Sequence, residues 1–158
     1  MNITGLFETH LTVQNLDRSV AFYRDIVGLP LATVVPERRI AFMWIGAPGN
    51  AMLGLWEMPG PLGLRLHIAL RTTKDDVLGA IEALRAADVT PRDFDGNPTA
   101  TPCVIGWMPA ISLFFRDPDG HSLEFISMLP DPPRPDLGVV AWPTWQEIVG
   151  GREAREGA

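Results

Sequence analysis

The chain of 158 residues contains little cysteine, little lysine and no long apolar run. Its one cysteine, Cys103, excludes an internal disulfide and a zinc cluster made of cysteines. No stretch approaches the ~20 consecutive apolar residues of a membrane-spanning helix. The first residues also lack the basic segment and apolar run of a signal peptide. We therefore expect a cytoplasmic protein that does not contact a membrane.

Positive charge is also scarce. The chain has 13 Lys and Arg residues and 19 Asp and Glu residues, which gives a net charge of −6. The basic residues form no run. Nucleic-acid-binding surfaces concentrate positive charge, so we expect no nucleic-acid partner. An apolar content of 46% with 20% charged residues is typical of a globular protein, and the length predicts one domain with its own core.

Three stretches predict β-strands that each carry one side chain able to bind a metal ion. Apolar residues alternate along 8–13, 64–70 and 121–126. His10, His67 and Glu124 fall on the faces opposite the main apolar rows. Two imidazoles and a carboxylate are a donor set that divalent ions use when coordination positions stay open for substrate. A lone strand histidine is more often structural, but an unpaired buried Glu124 would need a compensating cation.

The segment around His10 recurs around His67 at an offset of 57 residues, which indicates an internal repeat. Each copy reads as a strand, a helix and further strands, so the fold class is α+β. The predicted helices cover 17–27, capped by Asn15 or Asp17, and 74–87, capped by Thr72 or Thr73. The strand-like segments that follow them are 31–35, 40–45 and 51–57, then 89–94, 104–108, 111–115 and 122–127.

The sequence changes character after residue 128. Four prolines within 130–135 predict an extended connector, and Trp142 and Trp145 predict a short helix that ends at Gly150-Gly151. We expect this 129–158 tail to pack on its own domain, with a partner subunit or the mouth of the pocket as alternatives.

The repeated module resembles the vicinal oxygen chelate superfamily, which includes glyoxalases, bleomycin-resistance proteins, extradiol dioxygenases and fosfomycin-resistance thiol transferases. The resemblance rests on His-Leu-Thr-Val at 10–13, on Phe-Tyr-Arg-Asp-x-x-Gly-Leu at 22–29, and above all on Phe-Arg-Asp-Pro-Asp-Gly-His-x-x-Glu at 115–124. It covers about residues 5–128. It implies two βαβββ modules, about 5–58 and 62–128, whose sheets form a half-open cup with the helices outside. It also implies a homodimer and a metal site made by His10, His67 and Glu124.

Members of this family often carry a fourth ligand on the last strand of the first module. This sequence has Leu53 or Leu55 at the corresponding place, and neither binds metal. Glu57 has the same parity and is either a replacement ligand or a solvated strand end. The acid-base His and Tyr of dioxygenases have no clear counterpart, because His121 belongs to the turn motif and Tyr23 lies on a helix whose apolar stripe faces the core. The second module has no lysine beyond Lys74 for the fosfomycin branch, so the sequence matches none of these activities fully.

We expect an enzyme that uses iron, manganese, zinc, nickel or cobalt as a Lewis acid on a small oxygenated substrate, as a lyase, isomerase, epimerase or dioxygenase. The alternative is a metal-free protein that sequesters a small molecule, as in the bleomycin-resistance branch. Glu124 is the expected catalytic ligand, and Glu8 is either a general base or an exposed strand-start carboxylate. The candidate substrate-binding residues are Thr12, Phe42, Trp44, Arg65 and Trp107, although the residue types favour packing over substrate contact for each of them.

Overall fold

The computed structural model describes residues 2–156, with the side chains of residues 2–149. The chain divides into two compact units. The first comprises Met1–Leu66 and Asp117–His121, and the second comprises His67–Arg116 and Ser122–Ala158.

The first unit contains a four-stranded sheet and one α-helix. Its elements are β1 (Glu8–Val13), α1 (Leu16–Asp25), β2 (Leu31–Val35), a 3-10 helix (Pro36–Arg38), β3 (Ile40–Ile45) and β4 (Ala51–Glu57). The strand order is β1-β4-β3-β2, in which β1 runs parallel to β4 and the other neighbours are antiparallel. The predicted order of a strand, a helix and three strands is confirmed.

Side chains from α1 and one sheet face form the core of this unit. The Asn15 side chain accepts from the Arg18 N–H and caps α1, which then buries Leu16, Phe22 and Tyr23. The apolar residues of β1 and β4 that are almost fully buried are Leu11, Val13, Leu53 and Leu55. Because side chains alternate along a strand, the other face of β1 carries Glu8, His10 and Thr12.

The second unit repeats this connectivity and adds one strand. Its elements are β5 (His67–Arg71), α2 (Lys74–Ala86), β6 (Cys103–Ile105), β7 (Ala110–Arg116), β8 (Ser122–Met128), a 3-10 helix (Pro135–Leu137), β9 (Val139–Ala141) and α3 (Trp142–Glu156). The order is β5-β8-β7-β6-β9, and β5 runs parallel to β8 as β1 does to β4. A capping box between Thr73 and Asp76 begins α2. The two predicted βαβββ modules are therefore present.

Some predicted elements are wrong. Residues 89–94 form no strand, since Arg92 makes only isolated bridges to Pro98 and Phe114. Leu64 and Leu66 precede β5 and are 68% and 37% exposed, so they do not extend its buried row. The α3 helix runs through Gly150-Gly151 to Glu156, because glycine weakens a helix without necessarily ending it.

The tail from residue 129 packs within the second unit. Its strand β9 pairs with β6, and Trp145 is 1% exposed and donates its indole N–H to Asp131 at 3.1 Å. Packing on the chain itself, the alternative that the sequence favoured, agrees with these contacts. Within residues 2–156, none of the helices has the length and apolar character needed to cross a membrane.

The Asp-Pro-Asp-Gly motif forms the predicted turn between β7 and β8. The Gly120 N–H donates to the Asp117 carbonyl at 3.0 Å, and Gly120 has φ 87°, which favours glycine. The Asp117 carboxylate accepts from the N–H of His121 and from the Tyr23 hydroxyl. Burial first, and then the charge and hydrogen bond of Asp117, raise the pKa of Tyr23 well above its ordinary value, so this phenol stays protonated.

Candidate functional site

The second unit brings His67 and Glu124 together on one face of its sheet. In the parallel pair of β5 and β8, His67 is opposite Ser122, and Ala69 is opposite Glu124. His67 Nε2 lies 3.1 Å from Glu124 Oε2, and His67 Nδ1 lies 3.3 Å from the Ser122 hydroxyl oxygen. The pairing of the strands therefore joins one imidazole and one carboxylate that are distant in sequence.

The carboxylate of Glu124 is buried but only partly satisfied. Its side chain is 6% exposed, and Oε1 has no hydrogen-bond partner among the residues that the structure describes. A buried carboxylate oxygen without a partner is unfavourable unless a positive charge compensates it. The hydroxyl of Ser122 can accept from Nδ1–H, which would leave the Nε2 lone pair free for a metal ion. This donor set therefore fits a divalent cation.

Cys103 lies on β6, which β7 separates from β8, and its side chain is buried. Burial, and then the negative charge of Glu124, raise the pKa of its thiol to about 11. The thiol therefore stays protonated at neutral pH, which disfavours a thiolate nucleophile at this position.

In the first unit, both ring nitrogens of His10 have partners. Glu8 Oε1 lies 2.9 Å from Nε2, and the Trp56 indole N–H donates to Nδ1. The Phe42 ring meets the imidazole edge-on, with 6.0 Å between centroids. Because an indole N–H only donates, Nδ1 must accept and Nε2 must carry the ring proton.

Gly54 is opposite His10 in the parallel pair of β1 and β4, and its missing side chain makes room for the imidazole. An added Cβ would overlap the His10 ring. The residues of β4 beside His10 are thus Gly54 and Trp56. Leu53 and Leu55, the places that correspond in sequence to the family's fourth ligand, are buried on the opposite face of β4.

The carboxylate of Glu57 accepts hydrogen bonds from two groups of the first unit. It accepts from Arg39 at 2.6 Å and from the Leu16 backbone N–H at 2.6 Å. These hydrogen bonds, first from Arg39 and then from Leu16, lower the pKa of Glu57 to about 2. The carboxylate therefore links α1 to the strands, which gives it a structural role.

An apolar cavity of ≈500 Å³ lies beside His10 in the first unit. It is lined by His10, Leu11, Thr12, Trp56, Met58, Leu64 and Leu66. Sequence reasoning missed five of these residues as site residues, namely Leu11, Trp56, Met58, Leu64 and Leu66. The alternating leucines before His67 were a visible signal, but they indicated a buried strand face and not a cavity wall.

The predicted substrate-binding residues have different surroundings. Thr12 lines the apolar cavity, Phe42 contacts His10, and Trp44 is half-buried on the same strand as Phe42. Arg65 is exposed, and its guanidinium lies next to Gly120. Trp107, between β6 and β7, is 64% exposed. Their contact with a substrate stays a prediction.

The metal-binding donors occur as two pairs, Glu8 with His10 and His67 with Glu124. In the part of the chain that the structure describes, no group of three or more His, Cys, Asp and Glu side chains is arranged to hold a metal ion. The use of His10, His67 and Glu124 by one ion stays a prediction from the sequence.

Comparison with known proteins gives a consistent assignment. The model of the Glyoxalase/Bleomycin resistance protein/Dioxygenase superfamily matches residues 5–125. The chain is similar to a lactoylglutathione lyase of Haemophilus influenzae, with 28% identity over 131 residues that make up 77% of this chain and 90% of that protein.

Solved structures have the same fold. An integron cassette protein from the Halifax Harbour sewage metagenome has a TM-score of 0.67 and 32% identity, over 80% of this chain and 100% of the other. The fosfomycin resistance protein FosX of Listeria monocytogenes, solved with Mn(II) and sulfate, has a TM-score of 0.60 and 23% identity, over 82% and 94%.

Proposed function

Because the chain belongs to the Glyoxalase/Bleomycin resistance protein/Dioxygenase superfamily, we propose that it is a divalent-metal-dependent enzyme for a small oxygenated substrate. The observation that carries the proposal is the buried Glu124. Its Oε2 lies 3.1 Å from His67, and its Oε1 has no hydrogen-bond partner within the described part of the chain. A cation there would compensate the buried charge and use both side chains as ligands.

We propose His10, His67 and Glu124 as the ligands. When bound, a divalent ion would supply a Lewis acid that stabilises negative charge on a substrate oxygen. Ser122 would orient His67 by accepting from Nδ1–H, and burial of Glu124 would keep competing water away from the carboxylate. The mostly apolar cavity beside His10 would hold a hydrocarbon or ring portion of the substrate.

Similarity to a lactoylglutathione lyase over most of its length supports lyase or isomerase chemistry over dioxygenation. FosX, solved with Mn(II), supports a first-row divalent ion as the cofactor. Two roles are open to Glu8. As a general base it would accept a substrate proton, but its Oε1 already contacts His10 Nε2 at 2.9 Å, which also makes it a candidate ligand.

The test is the metal content of protein purified without chelator and without a metal-affinity tag, measured by mass spectrometry. The parent should hold about one divalent ion per chain. Glu124→Gln and His67→Ala should lose it, while Glu82→Gln, on the exposed face of α2, should keep it. Equal metal content in parent and Glu124→Gln would exclude the site, and the metal should also be required for any lactoylglutathione lyase activity.

A second candidate is a metal-free protein that sequesters a small molecule. The apolar cavity and the occupied nitrogens of His10 favour it. This candidate requires an apolar ligand that binds equally well with and without EDTA, measured by the quenching of tryptophan fluorescence.

Two further properties are proposals. A homodimer is expected from the family resemblance, and sedimentation equilibrium at micromolar concentration would test it. A cytoplasmic location is supported by the single, buried Cys103, since secreted proteins of this size more often use disulfides.

A further inference from the structure

The two parallel strand pairs can be compared position by position. In the second unit, Ala69 lies two residues after His67, and its partner on β8 is Glu124. In the first unit, Thr12 lies two residues after His10, and its partner on β4 is Trp56. The first module therefore has an indole where the second has its carboxylate.

Trp56 cannot replace that carboxylate as a ligand. Its indole nitrogen only donates, and its N–H is directed at His10 Nδ1. Arg38 stacks on the indole with 4.9 Å between its guanidinium carbon and the ring centroid, which helps to hold the ring in place. Gly54, the other neighbour of His10 on β4, has no side chain.

Glu8 supplies the missing carboxylate from a different direction. It lies two residues before His10 on the same face of β1, and its Oε1 is 2.9 Å from His10 Nε2. The corresponding separation in the second unit, between His67 Nε2 and Glu124 Oε2, is 3.1 Å. Two donors that each lie about 2.1 Å from one ion at a right angle are about 3 Å apart, so both pairs have the spacing of neighbouring ligands.

We infer that Glu8 is a metal ligand that acts as a pair with His10, and that the hydrogen bond from Trp56 to His10 opposes metal binding. The inference rests on the proposed function, because it concerns the same divalent ion. It gives Glu8 a role other than that of a general base.

The opposition by Trp56 follows from the proton on the imidazole. With Nδ1 accepting from Trp56, the single proton of the neutral ring occupies Nε2 and points at Glu8. For Nε2 to bind a metal ion, this proton must move to Nδ1, where it meets the indole N–H. Metal binding at His10 therefore costs the Trp56 hydrogen bond.

The experiment is calorimetric titration of EDTA-stripped, full-length protein with MnCl2 and with ZnCl2. Glu8→Gln should bind more than tenfold more weakly than the parent. The amide oxygen of Gln can still accept from His10 Nε2–H, so a residue that merely orients His10 would tolerate this change. Glu37→Gln is the control, since it removes the same charge from an exposed position of the first unit. Trp56→Phe should bind about two- to tenfold more tightly, the change expected for one competing hydrogen bond.

The outcomes separate this inference from the proposed function. If Glu8→Gln binds like Glu37→Gln while Glu124→Gln loses the metal, Glu8 is not a ligand and the metal-dependent enzyme stands. If Trp56→Phe binds the metal no more tightly than the parent, the inference that Trp56 opposes metal binding is wrong. If the parent binds neither ion, or if Glu124→Gln binds like the parent, the proposed function fails as well. Urea unfolding of each variant confirms that the titrated protein is folded.

Discussion

His67 and Glu124 are 57 residues apart in sequence, yet their side chains meet at 3.1 Å across neighbouring parallel strands. One oxygen of the carboxylate faces the imidazole, and the other is buried without a hydrogen bond to any residue that the structure describes. A protein tolerates such a group when its function requires it, so the pair connects the stability of the second unit with its proposed chemistry.

Replacing Glu124 with Met should stabilise the metal-free protein by about 1–3 kcal/mol, because it removes a buried carboxylate with an unpartnered oxygen. The same variant should gain no stability when MnCl2 is added, whereas the parent should. Urea unfolding with and without the metal checks both expectations. Glu82→Met, at an exposed position of α2, should change stability by less than about 0.5 kcal/mol. A destabilised Glu124→Met protein would contradict the prediction.

Gly54→Ala should displace His10, because the new Cβ would overlap the imidazole ring. We expect weaker metal binding and a loss of stability of about 1–3 kcal/mol, measured by calorimetry and thermal unfolding. Gly79→Ala is the matched control. Its Cβ would meet nothing within 4 Å, and alanine in the interior of α2 should stabilise the protein by about 0.5–1 kcal/mol. Unchanged metal affinity in Gly54→Ala would show that the position of His10 does not affect metal binding.

His121→Ala should destabilise the protein by about 2–4 kcal/mol. The buried imidazole accepts from the Leu66 N–H at 3.0 Å and its Nε2 lies 2.8 Å from the Thr12 carbonyl oxygen, so its removal leaves two backbone groups without partners. Chemical unfolding measures the loss. His67→Ala, at an exposed position, should cost less than about 1 kcal/mol, and similar losses for both variants would argue against the bridging role of His121.

Glu57 should make folding sensitive to acid. Its pKa is 4.5 when unperturbed and about 2 in the folded protein, so its contribution is complete above pH 4.5 and is lost as the pH falls towards 2. The midpoint of urea unfolding, followed from pH 6 to pH 2.5, should fall more steeply in the parent than in Glu57→Gln. An identical pH dependence of the two proteins would contradict the Arg39–Glu57 assignment.

Trp145→Ala should destabilise the protein by about 3–5 kcal/mol, because this ring is almost completely buried. Trp107→Ala, which removes a tryptophan that is 64% exposed, should change stability by less than about 1 kcal/mol. Thermal unfolding of the pair distinguishes a tail that belongs to the folded core from one that is an appendage. Equal losses of stability in the two variants would contradict the packing of Trp145 in the folded core.

The sequence alone determined the repeat, the order of a strand, a helix and three strands in the first module, and the faces of the three donor-bearing strands. These features depend on local chemistry. Alternation with a period of two assigns the faces of β1 and β8, and the order Asp117-Pro118-Asp119-Gly120 specifies a turn without reference to the rest of the chain. The resemblance at 115–124 then predicted the superfamily that the comparison confirmed.

Tertiary structure decided which side chains meet. The register of β4 against β1 placed Gly54 and Trp56 beside His10, and a shift of one residue would have placed Leu53 or Leu55 there. No local pattern shows that Arg39 donates hydrogen bonds to Glu57. Nor does one show that Leu64 and Leu66 lie outside the strands and line a cavity. Strand registers and long-range ion pairs are set by the packing of the whole unit, because each depends on residues that are remote in sequence.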